Sequence, residues 1–357
     1  MFNRFLVICV CSLSLSNTFA APLIIGHRGA SGVLPEHTLE AYKLAVEQGA
    51  DFIEPDLVST KDHHLIARHE PLLDNTTNVT DLPQFAHKKS KKVIDGKTIE
   101  GYFASDFTLE EIKSMRARQP RKYRSSAYDD QFKIPTLDEI ISLVIELQKP
   151  QGRKVGIYPE TKHPTFHRGL GISIEEPLIA SLEKYKFTDP SRVFIQSFEV
   201  SNLKTILPGL MKDKNIDLPL VQLIGRLDLI PQDQVGLKSP LTYKDLLTES
   251  QIKSMATYLS GIGIYKGMLV ERTKTTPRDL DGNGKAEAAY KAGKIASELI
   301  KTIHKLKLKI HVFTMRDEER YQLVDHKTPT EEYRQLAKIG IDGFFTDFPA
   351  TAVKAFK

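Results

Sequence analysis

From Leu23 to the C-terminus, short apolar runs alternate with longer amphipathic stretches, the pattern of parallel strands each covered by a helix. Strand-like runs fall at Leu23 to Gly26, Phe52 to Val58, His64 to Arg68, Lys154 to Tyr158, Val193 to Ser197, Pro219 to Ile224, Ile262 to Tyr265, Lys309 to Thr314 and Gly343 to Thr346. That is one run too many for a barrel of eight strand–helix units. Only Ser59 to His63 joins the second run to the third, whereas a parallel crossover needs about a dozen residues or more. These two runs therefore predict an antiparallel hairpin turning near Lys61 and Asp62, with Glu54 opposite His69 and Asp56 opposite Ala67. The remaining units predict an α/β fold, a (β/α)8 TIM-type barrel, over residues 21–357, with no Ser/Gly-rich linker to divide it.

Capping boxes at Thr108 with Glu111 and at Thr136 with Glu139 mark helix starts, and Gly49 ends the helix that carries Leu39, Tyr42 and Val46. Between His69 and Pro135 the pattern offers one clear helix in a stretch too long for an ordinary loop. It predicts an inserted subdomain at about residues 70–135, covering one rim.

The first twenty residues differ from the rest. Arg4 supplies a basic start, Phe5 to Leu15 is almost wholly apolar, and Thr18-Phe19-Ala20 suits signal peptidase, which predicts a secretory signal peptide over 1–20 and a periplasmic or secreted mature chain. The apolar core is too short for a retained span, which needs roughly 20 residues, and no later segment qualifies. Both cysteines, Cys9 and Cys11, lie in this segment, so a disulfide or thiolate metal site is not expected in the mature chain. The formal charge of +5 is spread over a chain that is 27% charged and favours anionic ligands only weakly. The one basic cluster, His87 to Lys97, has no interleaved aromatics and reads as a solvated loop, not a nucleic-acid or membrane patch.

Chemistry concentrates where barrel strands end in polar residues. The first run leads into His27-Arg28, the second carries Glu54 and Asp56, the hairpin return ends at His69, and the fourth is followed by Glu160 and Lys162. Residues two apart on a strand share a face, so Glu54 pairs with Asp56 and Glu160 with Lys162. Three converging carboxylates repel one another unless a cation sits among them, and hard oxygen ligands suit Ca²⁺ or Mg²⁺. The alternative is that the acids form salt bridges with Arg28, Lys162 and Arg68. Two histidines can serve as general base and general acid in one displacement, and Arg28 with Lys162 would hold an anion such as a phosphate.

These residues resemble a known family. Gly26-His27-Arg28-Gly29, Pro35-Glu36-His37-Thr38, Glu54-Pro55-Asp56, Thr60-Lys61-Asp62, His69-Glu70, Glu160-Thr161-Lys162, Gln196-Ser197-Phe198 and Thr346-Asp347 occur in the order seen in glycerophosphodiester phosphodiesterases, most like the longer exported bacterial members. The resemblance implies hydrolysis of glycerophosphodiesters such as glycerophosphocholine to glycerol 3-phosphate and an alcohol. It implies His27 and His69 as the acid–base pair, Glu54, Asp56 and Glu160 as ligands of Ca²⁺ (alternatively Mg²⁺), and Arg28 and Lys162 as phosphate contacts. Gln196, Phe198 and Phe313 are candidates for the substrate pocket, although core packing is the commoner fate of such aromatics. His37 stands where the family usually has Asn, and Glu70 where it often has Asp.

A second calcium site is suggested by Asp279, Asp281, Asn283 and Glu287, which match an EF-hand loop up to its ninth position; Tyr290 stands at the twelfth, so the bidentate Glu is missing. The competing reading is a turn and N-cap for a helix beginning near Lys285. Two other functions stay open from sequence: a binding or adhesion protein on the same scaffold, and a phospholipase D-like relative that cyclises phosphate. The sequence leaves the oligomeric state unspecified.

Overall fold

A computed structural model of the protein describes residues 21–280 and 284–356. The segment read as a signal peptide, and Asp281 and Asn283 of the candidate second calcium loop, lie outside the described residues.

The barrel strands are β1 (Leu23–His27), β2 (Phe52–Glu54 continuing as Asp56–Ser59), β3 (Gly156–Ile157 continuing as Glu160–Thr161), β4 (Ile195–Ser197), β5 (Leu220–Leu223), β6 (Gly261–Tyr265), β7 (Lys309–Met315) and β8 (Gly343–Thr346). Each pairs in parallel with the next, and β8 pairs back onto β1, so the sheet closes on itself. The breaks in β2 and β3 fall around Pro55 and Pro159, which have no N–H for the ladder. Their carbonyls still serve it, Pro55 accepting from Glu160 N (2.9 Å) and Pro159 from Gln196 N (3.0 Å).

Strand alternation separates two cores. Ile24, Ile53, Ile157 and Phe344 face the helix layer, whereas Ile25, Phe52, Tyr158, Val221 and Phe345 fill the barrel interior. Thr38 caps the helix Leu39–Glu47 by accepting from Ala41 N, and both predicted capping boxes form, at Leu109–Ser114 and at Leu137–Gln151. Each cap contributes about 1 kcal/mol.

The hairpin after β2 forms, but its register is one residue off the expectation. Leu57 faces Ala67, Val58 faces Ile66 and Ser59 faces Leu65, so Asp56 meets Arg68 instead of Ala67, and His69 falls beyond the ladder instead of opposite Glu54. The cause is a three-residue loop, Lys61 to His63, closed by Thr60 N to His64 O (2.9 Å), with His63 in the left-handed region (φ 65°).

The segment from Pro71 to Ile134 has more structure than one helix. It carries short 3-10 turns, the helix Leu109–Ser114 and an antiparallel hairpin, Ser90–Ile94 with Lys97–Gly101. Its own apolar cluster, including Leu73, Val79, Phe85, Phe107, Ile112 and Met115, packs on Val58 and Ile66 of the hairpin below. The basic stretch expected to be a solvated loop is largely this hairpin. Lys92 pairs with Asp106 (2.8 Å), Lys88 with Glu111 (2.7 Å), and Lys89 and Lys91 with Glu100.

The helix expected near Lys285 is absent. Glu287–Ile295 is instead a strand, paired antiparallel with Val270–Arg278 in a hairpin outside the barrel. Ala, Lys and Glu favour a helix locally, but a nine-residue Val- and Thr-bearing partner offers a ladder, irregular at two places, and pairing overrides propensity.

Candidate active site at the barrel rim

The interior positions just described decide which polar residues meet. Two residues beyond each inward apolar residue, the same strand face emerges at the C-terminal rim: Ile25 leads to His27, Phe52 to Glu54, Tyr158 to Glu160, Phe194 to Gln196 and Phe345 to Asp347. After β1 the chain reverses sharply. Arg28 and Gly29 both have positive φ (59° and 87°), and a Cβ on Gly29 would lie 2.6 Å from the Ala41 backbone, so only glycine fits there.

The result is a cavity of about 120 Å³ lined by His27, Arg28, Glu54, His69, Glu160, Lys162, Gln196, Phe198 and Phe313, with Leu223, Thr314 and Phe345 completing the wall. Asp56 joins from beneath. One carboxylate oxygen from each of Glu54, Asp56 and Glu160 lies within 4.8 Å of the others, and all three acids are buried. Burial, then the charges of Asp56 and Glu160, push Glu54 well above the usual carboxylate range. Burial raises Glu160 to about 8, with Asp56 adding to the effect and Lys162 opposing it. Asp56 goes the other way: burial is outweighed by Lys162, by the bond from His37 and by Arg28, so it stays ionised. Three clustered acids of which two are pushed to hold protons, and a buried Asp56 Oδ1 without a hydrogen-bond partner, match the oxygen donors a hard cation requires. The donor set fits a divalent oxygen-seeking metal.

The salt-bridge alternative is realised in part. Arg28 is bidentate to Glu36 (3.0 Å each) through Nη1, and its Nε lies 3.3 Å from Asp56; Lys162 Nζ is 2.8 Å from Glu160. Arg28 also donates its backbone N–H to Glu54 (2.9 Å). Arg68 pairs with none of the acids, giving its guanidinium to the carbonyls of Thr76 and His37. Two fixed cations, Arg28 and Lys162, thus stand among four acids, Glu36, Glu54, Asp56 and Glu160.

His27 donates from Nδ1 to Asp347 (2.5 Å), a carboxylate also held by Arg124 (2.6 Å) and Arg316 (2.9 Å). The bond from His27 and the charges of Arg124 and Arg316 outweigh burial and hold Asp347 well below the usual carboxylate range. Burial, then Arg28, pulls His27 down to about 4 despite Asp347. His69 is likewise drawn to about 4 by burial, Arg28 and Lys162, and its Nδ1 lies 2.8 Å from Glu70 Oε1. Each ring thus has Nδ1 committed to a carboxylate.

Gln196 turns its amide to Glu54 (3.1 Å), and Phe198 and Phe313 meet edge to face (6.2 Å) on the opposite wall, with Lys162 Nζ 5.7 Å from the Phe198 ring. His37, the departure noted above, bridges Asp56 (2.9 Å) and the Tyr42 hydroxyl (2.7 Å). Of the second calcium candidates, Asp279 accepts from Gly284 N (2.8 Å) and Glu287 is ion-paired with Arg320.

Sequence reasoning did not single out Asp347, Glu36, Arg124, Arg316 or His163. Asp347 and Glu36 each sat in a quoted motif, Thr346-Asp347 and Pro35-Glu36-His37-Thr38, without being given a role. Arg124 comes from an irregular stretch with no periodic signal.

Fold and site together define a TIM-type barrel protein whose rim gathers two imidazoles, three buried acids and two cationic side chains around one cavity. The model of the glycerophosphoryl diester phosphodiesterase family matches residues 27–351, and the chain belongs to that family. It is 33% identical to a glycerophosphodiester phosphodiesterase of Arabidopsis thaliana over 92% of this chain and 84% of that protein. It is 32% identical to one of Haemophilus influenzae over 94% and 90%. Among solved structures it is similar in fold to a glycerophosphodiester phosphodiesterase of Agrobacterium tumefaciens (TM-score 0.54, 18% identity, 93% and 99% covered). A phosphodiesterase of Oleispira antarctica in complex with the product sn-glycerol-3-phosphate is similar too (TM-score 0.56, 17% identity, 94% and 96% covered).

Proposed function

We propose that the chain hydrolyses glycerophosphodiesters to glycerol 3-phosphate and an alcohol, with His27 and His69 exchanging the protons and Glu54, Asp56 and Glu160 holding a divalent cation. One observation carries this reading: two imidazoles, three buried carboxylates and two cationic side chains converge on one rim cavity in a chain of this family. When bound, calcium (alternatively magnesium) supplies positive charge that neutralises the triad and polarises a phosphate oxygen.

The side chains divide the rest of the work. Arg28 and Lys162 are positioned to meet the non-bridging oxygens, where charge builds as the phosphorus is attacked. With Nδ1 bonded to a carboxylate, His27 and His69, which both line the cavity, keep Nε2 for the substrate. A neutral ring takes the proton from the attacking hydroxyl, and the other, once protonated beside the anionic substrate, gives one to the departing alcohol. Phe198 and Phe313 offer an apolar wall to the glycerol carbons.

We further read residues 1–20 as a signal peptide, which makes the enzyme exported, to a periplasm or beyond, and residues 70–135 as an inserted unit over the rim. No helix among the described residues is long and apolar enough to cross a membrane.

The mature chain incubated with glycerophosphocholine and Ca²⁺ should release glycerol 3-phosphate, and a chelator should abolish the release. Undiminished turnover in a His27→Ala, His69→Ala double variant would overturn the catalytic assignment. Accumulation of a cyclic phosphate as the end product would make it a phosphate-cyclising relative.

A further inference from the structure

The His69 orienting contact does not end at Glu70. The second carboxylate oxygen of Glu70 lies 3.2 Å from Nε2 of His163, and Nδ1 of His163 lies 3.1 Å from Asp95. Glu70 and Asp95 are each 47% exposed at the side chain, while His163 between them is 18% exposed. A carboxylate that is ionised only accepts, so both ring nitrogens of His163 must donate, and the ring that bridges them is an imidazolium. The bonds to Asp95 and Glu70 outweigh burial and raise His163 to about 9, in keeping with that geometry.

Each participant is held where it is by backbone shape. His163 follows the β3 extension and sits in the left-handed region (φ 45°, ψ 53°) just before the helix Pro164–Gly169, a conformation that histidine tolerates better than most residues. Asp95 and Gly96, with φ of 49° and 74°, form the two-residue turn of the hairpin Ser90–Ile94 and Lys97–Gly101. The tip of that hairpin is thereby tied to the barrel rim through one imidazole.

We propose that His163 is a positioning residue for His69: it clamps Glu70, so that Glu70 fixes Nδ1 of His69 and leaves Nε2 facing the cavity. The inference rests on the assignment of His69 to the acid–base pair. A glutamate that is half exposed on a bend has many rotamers, and alone it would hold an imidazole poorly. An imidazolium anchored on its far side by Asp95 removes that freedom. The same linkage gives the hairpin of residues 90–101 a catalytic consequence, because its tip sets the last contact in the chain.

His163→Asn keeps tolerance for positive φ but is too short to bridge, and His163→Gln keeps a donor that can reach Glu70. The Asn variant should lose roughly tenfold in kcat, the low end of what a partner supporting an active-site histidine contributes, with KM within about twofold. The Gln variant should regain most of that loss. In NMR spectra the His69 ring should hold its Nδ1–H form in the native protein and show a mixture of tautomers in the Asn variant. A purely structural tie would lower the melting temperature without this split. A folded Asn variant with native kcat, a loss carried by KM alone, or no recovery with Gln would overturn the proposal. His69→Ala measured alongside keeps the two readings separate: full activity there would mean that the acid–base assignment has failed, whatever His163 does.

Discussion

The two histidines proposed as the acid–base pair are built differently. His27 ends a barrel strand, is almost wholly buried, and bonds to Asp347, whose other oxygen is held by Arg124 and Arg316. His69 lies on a bend past a hairpin, about a third exposed, and bonds to Glu70, an exposed acid held by His163. The chemical device is the same, an imidazole with Nδ1 on a carboxylate, but one is embedded in the barrel and the other assembled from loops. A strand end supplies rigidity without further support. A bend needs a second and third partner to reach the same definition, and it gains access to solvent and substrate in exchange.

The largest expected effects test whether the halves are equal in the reaction. His27→Ala and His69→Ala should each lower kcat by about 10²–10⁴-fold, measured as glycerol 3-phosphate release; a hundredfold gap between them would show that one ring carries the chemistry. Asp347→Ala comes next and should separate the halves by stability. It leaves Arg124 and Arg316 buried without their shared anion, so urea unfolding should show a loss of about 3–5 kcal/mol beside the loss of activity. Glu70→Gln should cost roughly tenfold in kcat and, at an exposed site, less than about 1 kcal/mol of stability. If both variants were equally destabilised, the contrast between embedded and assembled halves would not hold.

The last effect concerns pH and is read on stability alone. His163 is raised from its ordinary 6.5 to about 9 in the folded chain. Its imidazolium therefore stabilises the fold fully below about pH 6.5, and that contribution fades as pH climbs through 9, by roughly 1–3 kcal/mol in all. The unfolding midpoint of the native protein should fall over that window, and the fall should be smaller in His163→Asn.

Most of the barrel was legible because short apolar runs and cap residues are local signals. Leu23 to Gly26 and Gly343 to Thr346 read as strands from their own side chains, and Thr108 and Thr136 announced their helices. Where competition between partners decided, reading failed: Glu287 to Ile295 has helical composition, yet it found a strand to pair with. The hairpin register slipped by one residue for a related reason, since loop length depends on whether His63 takes a positive φ.

By itself the sequence determined which face each strand buries, because side chains alternate, and so it determined that His27, Glu54 and Glu160 would emerge inward at one rim. Only the tertiary structure decided who meets whom around them. Closing the barrel joined Asp347 to His27 across 320 residues, and packing of residues 71–134 on the barrel brought Asp95 and Arg124 to the rim. Contacts of that kind arise from ring closure and from the packing of one layer on another, and no local periodicity records them.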